Sequence, residues 1–139
     1  MTDHHKTTVV SMRTDDEYDM RVDRRSPWGT NDTAGENRDE YAKYVDVLEK
    51  AAEAYQAEEV REAWQLCRQA AQIAYRVAGR FNDRAHDKFK AAGDRVPGER
   101  YLEAVTMSVR WHHRWNFARA CRDVVNAKRD EVHGGGPRD

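Results

Sequence analysis

The sequence is poor in residues that cross-link a chain or interrupt its helices. Its 139 residues include only three prolines and two cysteines, Cys67 and Cys121. The cysteines form no Cys-x-x-Cys pair and stand at no zinc-ligand spacing from histidine, so neither a disulfide framework nor a metal site is expected. We predict that both cysteines are small buried apolar residues.

Long apolar runs are also lacking. The longest apolar stretches are a few residues, far below the roughly 20 that span a bilayer. Residues 1–30 lack the apolar core of a secretory signal peptide. We therefore expect a cytoplasmic protein with no membrane partner.

Charged residues are abundant but unevenly distributed. Residues 1–62 hold 16 acidic and 9 basic residues, a net charge of −7, whereas residues 63–139 hold 9 and 15, a net charge of +6. Such halves can pair with each other, pair across a self-assembly interface, or leave the basic half for an anionic ligand. The charge pattern by itself leaves all three possibilities open.

The chain divides into three predicted regions. Residues 1–36 are predicted to form a small β-hairpin, built from Thr7–Arg13 and Tyr18–Arg24, followed by a loop that Trp28 anchors. Residues 37–132 are predicted to form a helical bundle. Residues 133–139, which include three consecutive glycines and a proline, are typical of a disordered tail.

Apolar residues recur every three or four positions in the middle region, which predicts helices at about residues 38–56, 58–92 and 99–130. Asn37 and Glu40 have the spacing of a capping box at the first helix start. The second helix carries two adjacent apolar stripes, so we expect it to lie centrally. The first stripe is a heptad seam of Val60, Trp64, Cys67, Ala71, Ala74, Ala78, Phe81 and Ala85, and the second contains Ala63, Leu66, Ala70, Ile73 and Val77.

The six-residue connector at residues 93–98 requires the second and third helices to run antiparallel. The predicted fold is therefore mainly α: a long antiparallel helical hairpin with one shorter packing helix. The hairpin outruns that short helix, so a second copy of the chain should cover the rest, which predicts a homo-oligomer. The predicted packing side of the third helix contains Tyr101, Ala104, Ser108, Trp111, Trp115, Ala118 and Val125, flanked by Leu102, Val109, Phe117 and Val124.

Arginines recur at four-residue spacing on the second helix, and folding the hairpin about Arg95 brings them level with arginines of the third. Guanidinium groups grip phosphate oxygens and an indole can stack on a base, so we predict an anion site for a nucleotide or nucleic acid. Its residues are Arg76, Arg80, Arg84, Arg110, Arg114, Trp111 and Trp115. The alternative is that Asp83 and Asp87 pair with these arginines, the tryptophans are core residues, and the acidic first 62 residues cover the remaining charge.

Catalytic motifs are not evident. His112 and His113 are adjacent, so on a helix they point about 100° apart and cannot hold one metal ion together. No residue pair has the spacing of a nucleophile and its base, and there is no glycine-rich phosphate loop. We predict no catalytic residue, metal or cofactor and favour binding over catalysis, with recognition of a host protein through the helical face as an alternative.

Residues 9–48 resemble a small uncharacterised domain family of phages and bacteria with the signature Arg-x-Ser-x-Trp-Gly-Asn-Pro before a helix. Here Thr30-Asn31 stands where that family has Asn-Pro-Phe. The resemblance implies a phage or mobile-element accessory protein rather than a particular reaction. The matching residues are Val9, Val10, Arg13, Tyr18, Asp19, Val22, Arg25, Ser26, Trp28, Gly29, Tyr41 and Tyr44.

A second resemblance concerns Arg80 and His86, which five residues separate. The pair is similar to the Arg-x(4–6)-His motif of the helical HEPN ribonucleases, in which the two side chains act on an RNA phosphate. This resemblance implies ribonuclease activity as an enzymatic alternative to binding.

Overall fold

The computed structural model describes residues 32–132, most of which lie in three α-helices. A 3-10 turn at Gly35–Asn37 precedes α1 (Arg38–Gln56), α2 (Val60–Ala92) and α3 (Glu99–Val132). Within these residues there is no strand, and no helix combines the length and apolar content needed to cross a membrane. The predicted β-hairpin, its Trp28 anchor, most of the phage-family resemblance and the predicted tail lie outside the described residues.

The helix boundaries agree with the predicted ones to within two residues. α1 ends without a glycine because Glu58 takes the left-handed conformation, with φ of 62°. The Glu58 amide donates to the Tyr55 carbonyl at 3.0 Å, and the Glu59 amide donates to the Ala54 carbonyl at 2.8 Å. This pattern is a Schellman motif with glutamate in the usual glycine position, which explains why the sequence carries no clear stop signal there.

The predicted capping box at the start of α1 is wrong. Asn37 makes no side-chain cap hydrogen bond; its Oδ1 accepts a hydrogen bond from Arg80 Nη2 at 3.1 Å instead. The Asn37 amide, which Glu40 would have capped, already donates to the Ala34 carbonyl at 3.1 Å within the 3-10 turn. The turn therefore releases the side chains of Asn37 and Glu40 for tertiary contacts.

α2 is the central helix, and both of its predicted stripes face the core. All residues of these stripes are buried except Trp64 and Leu66, which are partly buried. One apolar cluster joins Tyr44, Val77 and Trp111, and a second contains Tyr55 and Cys67. Cys67 and Cys121 are both buried thiols, which confirms the prediction that the two cysteines are small buried residues.

α2 and α3 form the predicted antiparallel hairpin. The rings of Tyr75 and Trp115 have centroids 5.0 Å apart, and those of Phe89 and Tyr101 have centroids 5.8 Å apart. Both contacts place residue n of α2 level with residue 190 − n of α3. The sequence predicted residue n level with residue 191 − n, so the observed register differs from the prediction by one residue. α1 packs against the hairpin, with the Tyr44 hydroxyl donating to the Arg114 carbonyl at 3.0 Å.

The flanking stripe predicted for α3 is largely wrong. Val109 is 62 % exposed, and Leu102 and Val124 are also exposed, while Phe117 is partly buried. The buried stripe runs through Met107, Arg114 and Cys121 instead, which follow one another at heptad spacing. The prediction missed this stripe because an arginine stands at its centre.

Candidate functional site

Asp32, the first described residue, contacts α3 through both its side chain and its backbone. Its carboxylate accepts hydrogen bonds from Arg114 Nη1 at 2.7 Å and from Arg110 Nη1 at 3.2 Å, and its carbonyl accepts one from Trp111 Nε1 at 3.1 Å. Asp32, Arg114 and Trp111 are buried. A buried arginine requires such a partner, because an isolated charge in the protein interior is very costly.

The guanidinium group of Arg114 also lies between aromatic rings. It is 5.0 Å from the ring centroid of Tyr41 and 4.7 Å from that of Trp111. Tyr41 and Tyr44 contact Trp111 edge to face. Arg114 and Trp111 therefore belong to the core that joins α1 to α3.

The three arginines predicted for the α2 row contact residues that precede or begin α1. Arg76 pairs with Glu40 at 2.9 Å. Arg80 donates to Asn37 and lies 3.9 Å from Glu40. Arg84 forms a two-pronged contact with the Glu36 carboxylate, at 3.2 and 3.1 Å.

The pKa of Glu36 reports the strength of this arrangement. The hydrogen bond from Arg84 lowers the pKa of the Glu36 carboxyl below its ordinary value, and the positive charges of Arg84 and Arg80 lower it further. Partial burial acts in the opposite direction. The carboxylate is therefore ionised at neutral pH and holds its arginine partner.

Residues 32–40, here called the acidic segment, thus contact both predicted arginine rows. We refer to the arginines bound to this segment as the paired arginines. The segment supplies the partners, as one sequence-based alternative proposed, whereas Asp83 and Asp87 form no ion pair with them within residues 32–132. The paired arginines are Arg76, Arg80, Arg84, Arg110 and Arg114.

Trp115 is the one predicted site residue that lies on a different face. Its ring contacts Tyr75 at an interplanar angle of 52°, and the guanidinium group of Arg119 stacks 4.7 Å from its centroid. The ring of His112 meets it edge-on at 5.6 Å. Trp115 is partly buried and anchors an aromatic and basic surface between α2 and α3.

This surface forms a cavity of about 580 Å³, here called the groove. At about 100° per residue, the twelve residues from Arg68 to Arg80 turn α2 by roughly 120°, so the groove lies on another face from the α2 row. No carboxylate of residues 32–132 lines it. Its lining residues are Arg68, Ala71, Gln72 and Tyr75 from α2, and Trp115, Arg119 and Arg122 from α3.

The three groove arginines, Arg68, Arg119 and Arg122, form no ion pair with any residue of the described chain. Asp123 is four residues after Arg119 but lies beyond ion-pair distance of it. The sequence prediction missed this group, although a signal was present. Arg68 and Arg122 have no acidic residue three or four positions away on either side, so the helix itself offers them no partner.

Arg122 also acts on the core below the groove. Burial raises the pKa of the Cys67 thiol to about 12, and the charge of Arg122 partly opposes this shift. The thiol is therefore protonated at neutral pH and is not a nucleophile.

A second cavity, of about 550 Å³, lies where the acidic segment meets the hairpin. Its wall includes Phe81 and Met107 together with residues of both signs of charge. Two of its cations already have partners, because Arg84 binds Glu36 and Arg100 pairs with Glu103 at 3.4 Å. Among the described lining residues, the groove therefore carries the larger net positive charge of the two cavities.

Within the described part of the chain, the histidines do not converge on one site. His86 is exposed and six positions beyond Arg80, so α2 directs the two side chains about 120° apart, and Arg80 already has partners. His112 lies against Trp115, with Nδ1 3.2 Å from the Ser108 carbonyl. Within residues 32–132 no three His, Cys, Asp or Glu side chains are grouped as a metal site.

Comparison with family models, with curated proteins and with solved structures found no match to this chain.

Proposed function

We propose that this is a non-enzymatic binding protein that holds a phosphate-bearing anion in the groove. The observation that carries the proposal is a charge imbalance: three arginines line one concave surface to which no carboxylate of the described residues contributes. The paired arginines, by contrast, already bind the acidic segment. The proposed ligand class is the one predicted from the sequence, but the proposed site is the groove instead of the predicted arginine cluster. Trp115 belongs to both the predicted site and the groove.

The groove arginines are suited to such a ligand because guanidinium groups bind phosphate oxygens in a two-pronged manner. Aromatic rings support two of them, since Arg119 stacks on Trp115 and Arg68 lies 5.9 Å from the ring centroid of Trp64. This support reduces the conformational freedom that an arginine loses on binding.

The direct test is calorimetric titration of the full-length protein with pyrophosphate at low and moderate salt. We expect saturable binding that weakens as ionic strength rises, because the contact is electrostatic. The variant Arg68→Gln/Arg122→Gln should lose at least tenfold in affinity. The matched control, Arg76→Gln/Arg84→Gln, removes the same charge from the paired arginines and should keep wild-type affinity.

Two results would contradict the proposal. One is the absence of pyrophosphate binding by the wild-type protein at low salt. The other is an equal loss of affinity in the groove variant and the control, which would mean that binding follows net charge rather than this surface.

We also propose that the protein forms a homo-oligomer through the outer face of α3. Leu102 and Val109 are exposed apolar side chains one heptad apart on that face. Contiguous exposed apolar surface is typical of protein contacts. Light scattering at micromolar concentration should give a mass above that of one chain, and Val109→Glu should lower it; a strictly monomeric wild type would overturn this proposal.

A further inference from the structure

Resting on the proposed function, we infer that the ligand of the groove is a single nucleotide, whose phosphate contacts the three arginines and whose base stacks on Tyr75. The cavity volume of about 580 Å³ falls within the range of small-molecule sites, roughly 300–1,000 Å³. The inference depends on how the charges and the aromatic rings are arranged along the hairpin.

The positive charges are concentrated at one level. In the register set by the Tyr75–Trp115 contact, Arg68 lies level with Arg122, and Arg119 lies level with Ala71. The three arginines therefore originate within about one helical turn, roughly 4.5 Å along the axis. A surface that tracks a nucleic acid strand distributes its charge along several nucleotides. A cluster this short fits one terminal phosphate group or a short polyphosphate.

An accessible aromatic ring lies beside this cluster. Tyr75 is four residues beyond Ala71 on α2, about 6 Å along the axis, and its side chain is 57 % exposed. The Tyr75 ring packs against Trp115 at an interplanar angle of 52°, while Arg119 stacks on Trp115 itself. Tyr75 is therefore the ring available to stack on a base, and Trp115 holds it in place.

Gln72 completes the arrangement. It lies on α2 between Arg68 and Tyr75 and lines the groove. Its amide offers both donor and acceptor groups, as the edge of a base requires. The arginine cluster, the Gln72 amide and the exposed Tyr75 ring thus follow one another along the groove. This order matches that of a nucleotide, in which the phosphate lies at one end and the base at the other.

The experiment compares ligands that carry the same phosphates with and without a nucleoside. The full-length protein is titrated with pyrophosphate and with the diphosphates of adenosine, guanosine, cytidine and uridine. We expect at least one nucleoside diphosphate to bind about tenfold more tightly than pyrophosphate, since stacking of a base on an aromatic ring strengthens binding roughly 5- to 150-fold.

The substitution Tyr75→Ala should abolish the preference, so that this variant binds the nucleotide no more tightly than it binds pyrophosphate. Tyr75→Phe keeps the ring and should retain the preference. Tyr101→Ala is the matched control, because Tyr101 contacts Phe89 away from the groove and should not affect the preference.

The outcomes separate this inference from the proposed function. If pyrophosphate binds as tightly as every nucleotide, or if Tyr75→Ala leaves the preference intact, the inference fails and the proposed function stands. If no ligand binds, both fail. If an eight-residue oligonucleotide binds more tightly than any nucleotide and with a steeper salt dependence, the site follows a strand and the single-nucleotide inference is overturned.

Discussion

The arginines of the hairpin form two groups that differ in their partners. The paired arginines bind the acidic segment, and the most buried of them, Arg114, is held by Asp32 within the core. The groove arginines occupy another face and have no acidic partner in the described chain. The paired arginines of α2 recur at regular four-residue spacing, yet all of them already have partners. The spacing of arginines along the sequence therefore does not by itself locate an anion site. What matters is which arginines the rest of the fold leaves without a carboxylate.

The sharpest test of this difference is Asp32→Ala. It leaves Arg114 buried without its carboxylate, so the free energy of unfolding should fall by about 3–5 kcal/mol. Urea denaturation followed by circular dichroism measures the change. Asp123→Ala, which removes an exposed carboxylate beside the groove, is the control and should change stability by less than about 0.5 kcal/mol. A loss below about 1 kcal/mol for Asp32→Ala would mean that Arg114 finds another partner.

A smaller effect is expected for the exposed pair of Arg76 and Glu40. Both side chains are partly in solvent, so a double-mutant cycle with Arg76→Ala and Glu40→Ala should give a coupling energy of about 0.2–1 kcal/mol. The coupling should shrink as salt is added. A coupling as large as the effect of Asp32→Ala would contradict the distinction between buried and exposed members of the paired group.

The Glu36–Arg84 contact should appear as a pH dependence. The folded-state pKa of Glu36 lies below its unfolded value near 4.5, so its contribution to stability is complete above that pH and is lost as pH falls through the folded pKa. Glu36→Gln lacks this titration. The stability advantage of wild type over Glu36→Gln should therefore be constant above about pH 5.5 and decrease toward pH 3, as measured by thermal melts. An advantage that grows on acidification would have the wrong sign.

The smallest effect on stability is expected for the groove arginines. Arg119→Gln removes an exposed charge that forms no ion pair with any residue of 32–132, so the free energy of unfolding should stay within about 0.5 kcal/mol of wild type. The same variant should weaken pyrophosphate binding. If it unfolds the protein as strongly as Asp32→Ala does, the groove arginines are structural and the two groups do not differ in role.

The helical part of the fold could be predicted from residue spacing. Apolar periodicity located all three helices, and the two stripes of α2 correctly indicated a central position. The sequence-based predictions were wrong where a side chain contacts a residue that is distant along the chain. Asn37 and Glu40 have the spacing of a cap but bind Arg80 and Arg76, and Arg114 interrupts an apolar heptad yet is buried. From its charge alone, Arg114 is expected at the surface. Its heptad spacing from the buried residues Met107 and Cys121 indicates a core position, and Arg114 is indeed buried.

By itself the sequence determined where the helices lie, which stripes α2 buries and that α2 and α3 run antiparallel. These features follow from local spacing and from the short connector, which act over a few residues. Only the tertiary structure decided which arginines are neutralised. Asp32 is 82 residues from Arg114 along the chain, and Glu40 is 36 from Arg76. Local spacing does not select partners at such separations. The contacts of the acidic segment therefore decide which arginines are neutralised, and they distinguish the groove arginines from the paired ones.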